Sequence, residues 1–307
     1  MNALRIATRK SALAMWQARH VADLLKVEHP GIAVEIVPVV TQGDRILDRP
    51  LAQIGGKGLF LKELEEALLS DRADLAVHSM KDVPMEQTAG LELEVVLPRA
   101  RPFDAWITRD GQRLEETRPH ARVGTSSLRR RCQLLAARPD LEVLDLRGNV
   151  DTRVSKLDEG EYDAVILACA GLERLGMGDR ITQVLGPPHW LPAAAQGIIG
   201  LQCRSGDHAV GSLIEPLHDH AAGLQAVSER RVATLLEGSC QVPLAVFAEL
   251  DDQRARIEGL VGTPDGLTLL RASAEGAVAA LATLAETVAE ELLAQGADAI
   301  IRAQAFT

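Results

Sequence analysis

Aromatic side chains are scarce in this chain: one Tyr, three Trp and four Phe among 307 residues. With an ordinary hydrophobic fraction of 47%, the core must be filled by Leu, Val, Ile and Ala. Cysteine is sparse as well. Cys132, Cys169, Cys203 and Cys240 stand far apart with no CxxC pair, which argues against a structural zinc site and a disulfide framework. No metal centre is expected, because His218 and His220 have no partner cluster. No apolar run reaches membrane-spanning length, so no membrane partner is expected. Residues 1–9 lack the charged-then-apolar pattern of a secretion signal and read as the start of a strand. A reducing cytoplasm is the expected location. Positive charge is also in deficit: the net charge is −10, which disfavours nucleic-acid binding.

Against that acidic background, arginine is dense between Arg99 and Arg153 and includes the run Arg129-Arg130-Arg131. A local arginine cluster in an acidic protein can hold a small anion in a cleft. The alternative is a solvated helix face.

The length exceeds one ordinary domain and predicts two or three. Residues 4–7 read as a strand, and Ser11 as the N-cap of a helix carrying Leu13, Trp16, Gln17, His20, Val21 and Leu24. A strand over 34–40 follows, with Pro38 arguing for an edge or a bulge. After the glycine-rich stretch 55–58 a helix presents Phe60, Leu64, Ala67 and Leu68 on one face. Residues 74–78 form the next strand, which leads into Ser79-Met80-Lys81-Asp82-Val83-Pro84. The alternation of strand and helix implies a largely parallel α/β sheet. A second such unit follows residue 100: strands over 122–124, 141–146 and 163–168, and helices beginning near Leu128 and Val150. Two α/β units of similar size suggest a cleft between them. The last third changes character, with a helix over 221–236, strands over 246–250, 256–261 and 267–272, a turn at Thr263-Pro264-Asp265-Gly266, and a helix over 278–294.

Three strand-to-helix junctions carry arginine: Ala7-Thr8-Arg9-Lys10-Ser11, Gly124-Thr125-Ser126-Ser127-Leu128-Arg129-Arg130, and Leu146-Arg147-Gly148-Asn149-Val150-Asp151-Thr152-Arg153. Unpaired N–H groups at a helix start attract anions, and the guanidinium fork suits a carboxylate. As a group the junctions point to a ligand with several carboxylates or phosphates. Each alone also fits a plain capped helix. Gly55-Gly56-Lys57-Gly58 lacks phosphate-loop spacing and reads as a mobile loop at a cleft edge. Asp82 suits a general acid/base or a cation stabiliser, and Lys81 a Schiff base or an anion contact, although a surface turn closed by Pro84 fits equally. Cys240, between Gly238 and Pro243, is the cysteine best placed for reactivity, whereas the other three read as buried.

Together with Gly58-Leu59-Phe60, Ala76-Val77-His78-Ser79-Met80-Lys81-Asp82-Val83-Pro84, Leu167-Ala168-Cys169-Ala170-Gly171-Leu172 and Cys240-Gln241-Val242-Pro243, these segments resemble the hydroxymethylbilane synthase (porphobilinogen deaminase) family, in its order and over nearly the whole chain. The resemblance implies an α/β fold: two periplasmic-binding-protein-like α/β domains around a cleft and a small C-terminal α+β domain. The implied domains are 1–97 with 198–216, 98–197, and 217–307 carrying the cofactor cysteine. It implies a monomeric transferase that condenses four molecules of its partner, the substrate porphobilinogen, head to tail with loss of ammonia. The product is the linear tetrapyrrole hydroxymethylbilane. The implied cofactor is a dipyrromethane, attached covalently through Cys240. Asp82 matches the family's catalytic aspartate, which stabilises the cations formed as ammonia leaves. Ser79, Lys81, Thr125, Ser127, Arg129 and Arg130 match cofactor ligands. Arg9, Ser11, Arg147, Arg153 and Arg174 match contacts to substrate carboxylates. Lys57 and Phe60 fall in or beside the mobile cleft loop, and Gln196 at the hinge. Two departures are Ser239 and Ala195, where glycine is expected. A non-catalytic anion-binding protein and a Schiff-base enzyme using Lys81 are the competing readings.

Overall fold

The computed structural model describes residues 3–41, 61–236 and 242–305. The chain opens with β1 (Leu4–Arg9), α1 (Ala12–Glu28) and β2 (Val34–Val39), a parallel strand pair joined by a helix. The Ser11 side chain accepts a hydrogen bond from the Ala14 N–H and so caps α1. Ala18, Val21, Ala22 and Leu25 recur at helical spacing and meet Leu4 and Ile6 in one buried cluster. α2 (Lys62–Leu69), β3 (Leu75–Ser79) and β4 (Leu91–Val96) follow. Leu64, Ala67 and Leu68 of α2 cover the opposite face of the sheet, against Ala7 and Ala76.

The next stretch holds β5 (Asp104–Thr108), β6 (Arg122–Gly124), α3 (Leu128–Ala137), β7 (Glu142–Leu144), α4 (Val150–Asp158), β8 (Ala164–Ala168), α5 (Cys169–Arg174) and β9 (Gln183–Leu185). Then come β10 (Ile199–Arg204), α6 (His208–Ile214) and α7 (His220–Leu235). The chain ends with β11 (Leu244–Leu250), β12 (Arg254–Gly262), β13 (Leu269–Ala277), α8 (Leu281–Ala294) and α9 (Ala297–Ala305).

Two compact units result: Met1–Ala100 with Ile198–Gly223, and Arg101–Gly197 with Leu224–Thr307. The first holds a sheet in the order β2-β1-β3-β10-β4, the second a sheet in the order β7-β6-β8-β5-β9. In each, one strand opposes the other four: β10 is antiparallel to β3 and β4, and β5 to β8 and β9. Each reversed strand is the first one formed after the chain enters that unit, at residues 198 and 101. β2 lies at a sheet edge, where the missing N–H of Pro38 costs least. The second unit also contains the antiparallel sheet β11-β12-β13, covered by α8. Residues 98–197 and 217–307 thus fall largely in one unit, each with its own sheet, and their division into two domains is a proposal resting on those separate sheets.

Candidate functional site

In the first unit, β1 and β3 are parallel neighbours, so Arg9–Ser11 and Ser79–Asp82 emerge at the same end of the sheet. That is where open α/β sheets gather ligands. β3 passes into a single 3-10 turn, Met80–Asp82, held by Met80 N–H donating to the Ile198 carbonyl and Val83 N–H donating to the Met80 carbonyl. Met80 and Val83 are buried and clamp the turn from both sides, which leaves Asp82 exposed and Lys81 half-buried. Gln17, buried on α1, donates to Ser79 Oγ at 2.9 Å and ties that helix to the end of β3. His78, one residue earlier, is buried. Desolvation pushes its imidazole down to about 4, against weaker opposing pulls from Gln202, Glu65 and Asp82.

In the second unit β7, β6 and β8 are parallel. The loops at their ends are locked side by side. Thr125 N–H donates to the Leu144 carbonyl at 2.9 Å. Ser126 Oγ bridges Leu146, donating to its carbonyl at 2.9 Å and accepting from its N–H at 3.0 Å. Ser127 Oγ caps α3 through the Arg130 N–H. The hydroxyl of Tyr162, the chain's single tyrosine, donates to the Asp145 carbonyl at 2.6 Å. Its ring leaves no room for a side chain at Gly124, where a Cβ would lie 2.9 Å from Cδ1. Gly148 has φ +109°, a conformation glycine adopts freely, and its carbonyl accepts from Arg153 Nε at 2.7 Å. Thr125, Ser127, Arg147 and Arg153 are therefore brought together at one end of one sheet. Arg174, at the last turn of α5, donates to the Gly197 carbonyl at 2.7 Å, and burial pushes it down to about 10.

Arg129 and Arg130 depart from the picture of a solvated helix face: both are buried, whereas Arg131 is exposed. They share one carboxylate. Arg129 Nη1 donates to Asp104 Oδ2 at 2.7 Å and to the Leu191 carbonyl, and Arg130 Nη2 donates to Asp104 Oδ1 at 2.8 Å. Trp190 Nε1 and Gln196 Nε2 also donate to Asp104, at 2.8 and 3.0 Å. Burial drives the Asp104 carboxyl upward, but the two guanidiniums outweigh it and hold the group far below the usual carboxylate range. Two buried cations against one buried anion leave a surplus of positive charge. Arg130 Nε is in addition buried without a hydrogen-bond partner. A buried orphan donor in a positive environment suits an anionic ligand.

Sequence reasoning did not find Asp104, Tyr162 or Glu229, and it placed Gln17 on the first helix without a role in the site. The buried Glu229 carboxylate accepts from the Ala195 N–H at 2.6 Å and the Ala248 N–H at 2.8 Å. Ala195 takes φ +57°, which explains why glycine is the natural residue there. Gln196 joins the site by donating to Asp104 and to the Pro102 carbonyl. Cys132, Cys169 and Cys203 are buried, with thiols pushed up to about 12 by desolvation. Lys57, Phe60, Ser239 and Cys240 lie outside the described residues. Among the described residues no cluster could hold a metal ion, and no helix is long and apolar enough to cross a membrane.

Fold and residues define an α/β protein with arginine- and hydroxyl-bearing strand ends suited to a small polycarboxylate. Solved structures similar to the chain include a double mutant of the VFT2 domain of Bordetella pertussis BvgS, with 18% identity, 76% of this chain and 91% of that one covered, and a TM-score of 0.42. Another is the Escherichia coli periplasmic aliphatic sulphonate-binding protein SsuA, with 17% identity, coverage of 76% and 70%, and a TM-score of 0.39. The model of the porphobilinogen deaminase dipyromethane cofactor binding domain matches residues 4–212, and that of the porphobilinogen deaminase C-terminal domain matches residues 224–294. The chain belongs to the porphobilinogen deaminase family. Its activity is hydroxymethylbilane synthesis, a transferase reaction of tetrapyrrole biosynthesis with porphobilinogen as substrate and dipyrromethane as cofactor. The orphan Arg130 donor and the surplus positive charge around Asp104 fit a cofactor that carries carboxylates.

Proposed function

We propose that Asp82 is the catalytic carboxylate of this synthase. The observation that carries the reading is its setting: an exposed acid on a turn pinned by two buried neighbours, at the strand ends that also present Arg9 and Ser11. A carboxylate held there stabilises the positive charge that develops on the substrate as ammonia leaves, and takes up and returns the proton. Ser79, at the end of β3, and Lys81, on the same turn as Asp82, hold cofactor, and Arg9 and Ser11 bind substrate carboxylate.

In the second unit, Thr125, Ser127, Arg129 and Arg130 hold the cofactor's carboxylates, and Arg147, Arg153 and Arg174 those of the substrate. When bound, the dipyrromethane supplies the pyrrole terminus to which substrate units are added, with Cys240 as its covalent anchor. What supports the pair as oriented donors is their anchoring: Arg129 donates to Asp104 and the Leu191 carbonyl, and Arg130 to Asp104 and the Ile166 carbonyl. Lys57 and Phe60, in or beside the stretch that resembles the family's cleft loop, are assigned to the border of the substrate on that resemblance alone. The enzyme works as a cytoplasmic monomer without nucleic acid.

The experiment is intact mass with turnover, on the wild type, Cys240→Ala and Asp82→Ala. Wild type and Asp82→Ala carry the mass of a dipyrromethane, and Cys240→Ala does not. Asp82→Ala loses turnover by at least about 100-fold. Near-normal turnover of Asp82→Ala, or a loaded Cys240→Ala, overturns the corresponding role.

A further inference from the structure

β3 alternates its side chains between two faces. Leu75 and Val77 join the cluster under α1, and Ala76 joins the one under α2. His78 follows Ala76 on the α2 face, four residues before Asp82. Its backbone pairs with Gly200 of β10, and its Nε2 lies 2.9 Å from Oε1 of Gln202, two residues along the same strand. Gln202 Nε2 donates to Glu65 Oε1 at 3.1 Å, and Thr88 Oγ1 donates to Glu65 Oε2 at 2.8 Å. α2, β10, β3 and the loop after the Asp82 turn thus meet in one chain of hydrogen bonds.

The direction of that chain is forced. A carboxylate only accepts, so Gln202 must turn its NH₂ toward Glu65. Its carbonyl oxygen then faces the imidazole, so His78 Nε2 must carry a hydrogen and Nδ1 is bare. The charged groups that act on the ring are Glu65, on α2, and Asp82, on the following turn. Both favour a second proton, and burial outweighs them. A cationic imidazole there would neutralise part of the field that Asp82 offers to a cation. A neutral ring with one strong donor holds the strand end without doing so.

We propose that His78 is a positioning residue for Asp82, locked as the neutral Nε2–H tautomer by Gln202 and Glu65, and that it fixes the catalytic turn without placing a second charge beside it. This rests on the reading of Asp82 given above. The test uses the full-length, cofactor-loaded enzyme. Long-range ¹H–¹⁵N spectra are expected to show His78 with a protonated Nε2 and a bare Nδ1, unchanged between about pH 7 and 5.5. His78→Gln, which keeps an amide donor, retains kcat within about threefold, whereas His78→Leu loses about tenfold or more in kcat with KM and cofactor mass unchanged. Glu65→Gln, which lets the Gln202 amide reverse, yields a mixture of tautomers. A cationic or Nδ1–H imidazole in the wild type at pH 7, or wild-type kcat in His78→Leu, overturns the proposal. Should His78→Leu fail to fold, the wild-type spectrum still decides. If Asp82→Ala keeps its turnover, the role of Asp82 fails, while the tautomer result stands on its own.

Discussion

The two α/β units share a strand order, down to the single reversed strand in fourth place, yet they treat charge in opposite ways. The first presents a carboxylate to solvent and backs it with neutral groups: Met80, Val83 and a desolvated His78. The second buries a carboxylate, Asp104, and gathers two guanidiniums around it. In one unit the acid is the displayed group. In the other it is the scaffold that orients donors from behind. The first unit's strand ends thus display an acid beside Arg9 and Lys81, whereas the second's gather positive charge around an acid that is buried. The first unit also has a buried acid, Asp74, but at the opposite end of β3, where Arg5 and Arg204 close around it.

That contrast can be broken most severely at Asp104. Asp104→Ala leaves two buried guanidiniums without their counter-charge and is expected to cost about 3–5 kcal/mol in chemical denaturation. A loss below about 1 kcal/mol would show that the arginines reach solvent and that the cluster is not a scaffold.

Asp74 gives the next effect. Burial alone would raise its carboxyl, but hydrogen bonds from Arg5 and Arg204 hold it at about 2, below the ordinary 3.8. A folded-state value below the unfolded one stabilises the protein above about pH 4, and the contribution is lost as the pH falls toward 2. Urea midpoints of wild type and Asp74→Asn at pH 7, 4 and 2 should therefore differ most at pH 7 and converge at pH 2. A constant difference would assign the effect to packing.

Tyr162→Phe removes the bond that pins the Asp145 carbonyl but keeps the ring against Gly124. About 1 kcal/mol of stability should go, measured by thermal unfolding. The smallest effect belongs to Arg231→Ala, since the pair with Glu286 is solvent-exposed on both sides. A change beyond about 0.5 kcal/mol in the same assay would contradict the exposed-pair reading.

Local chemistry was legible residue by residue. Ser11 caps the helix it was expected to cap, because a cap needs only a short polar side chain ahead of a periodic run, and of the three hydroxyls Thr125, Ser126 and Ser127 before the helix at Leu128 it is Ser127 that caps it. Pro38 marked an edge strand for an equally local reason. β4, β5, β9 and β10 went unread. β10 and β5 are the reversed strands, and nothing in their own residues distinguishes a reversed strand from a forward one. Asp104 was missed because its partners lie 25 and 26 residues away along the chain, with no spacing rule to connect them. The 3-10 turn at Met80–Asp82 was read as a loop, and only the burial of Met80 and Val83 shows why Asp82 points outward.

The sequence by itself determined the family, the secondary structure near each strand-end motif, and the residue types gathered there, because capping, periodicity and motif spacing are properties of contiguous residues. The tertiary structure alone decided which charges are displayed and which are spent. Whether an arginine faces solvent or a buried carboxylate depends on which distant strand runs beside it, and a histidine's tautomer depends on an amide and an acid brought to it from two other elements.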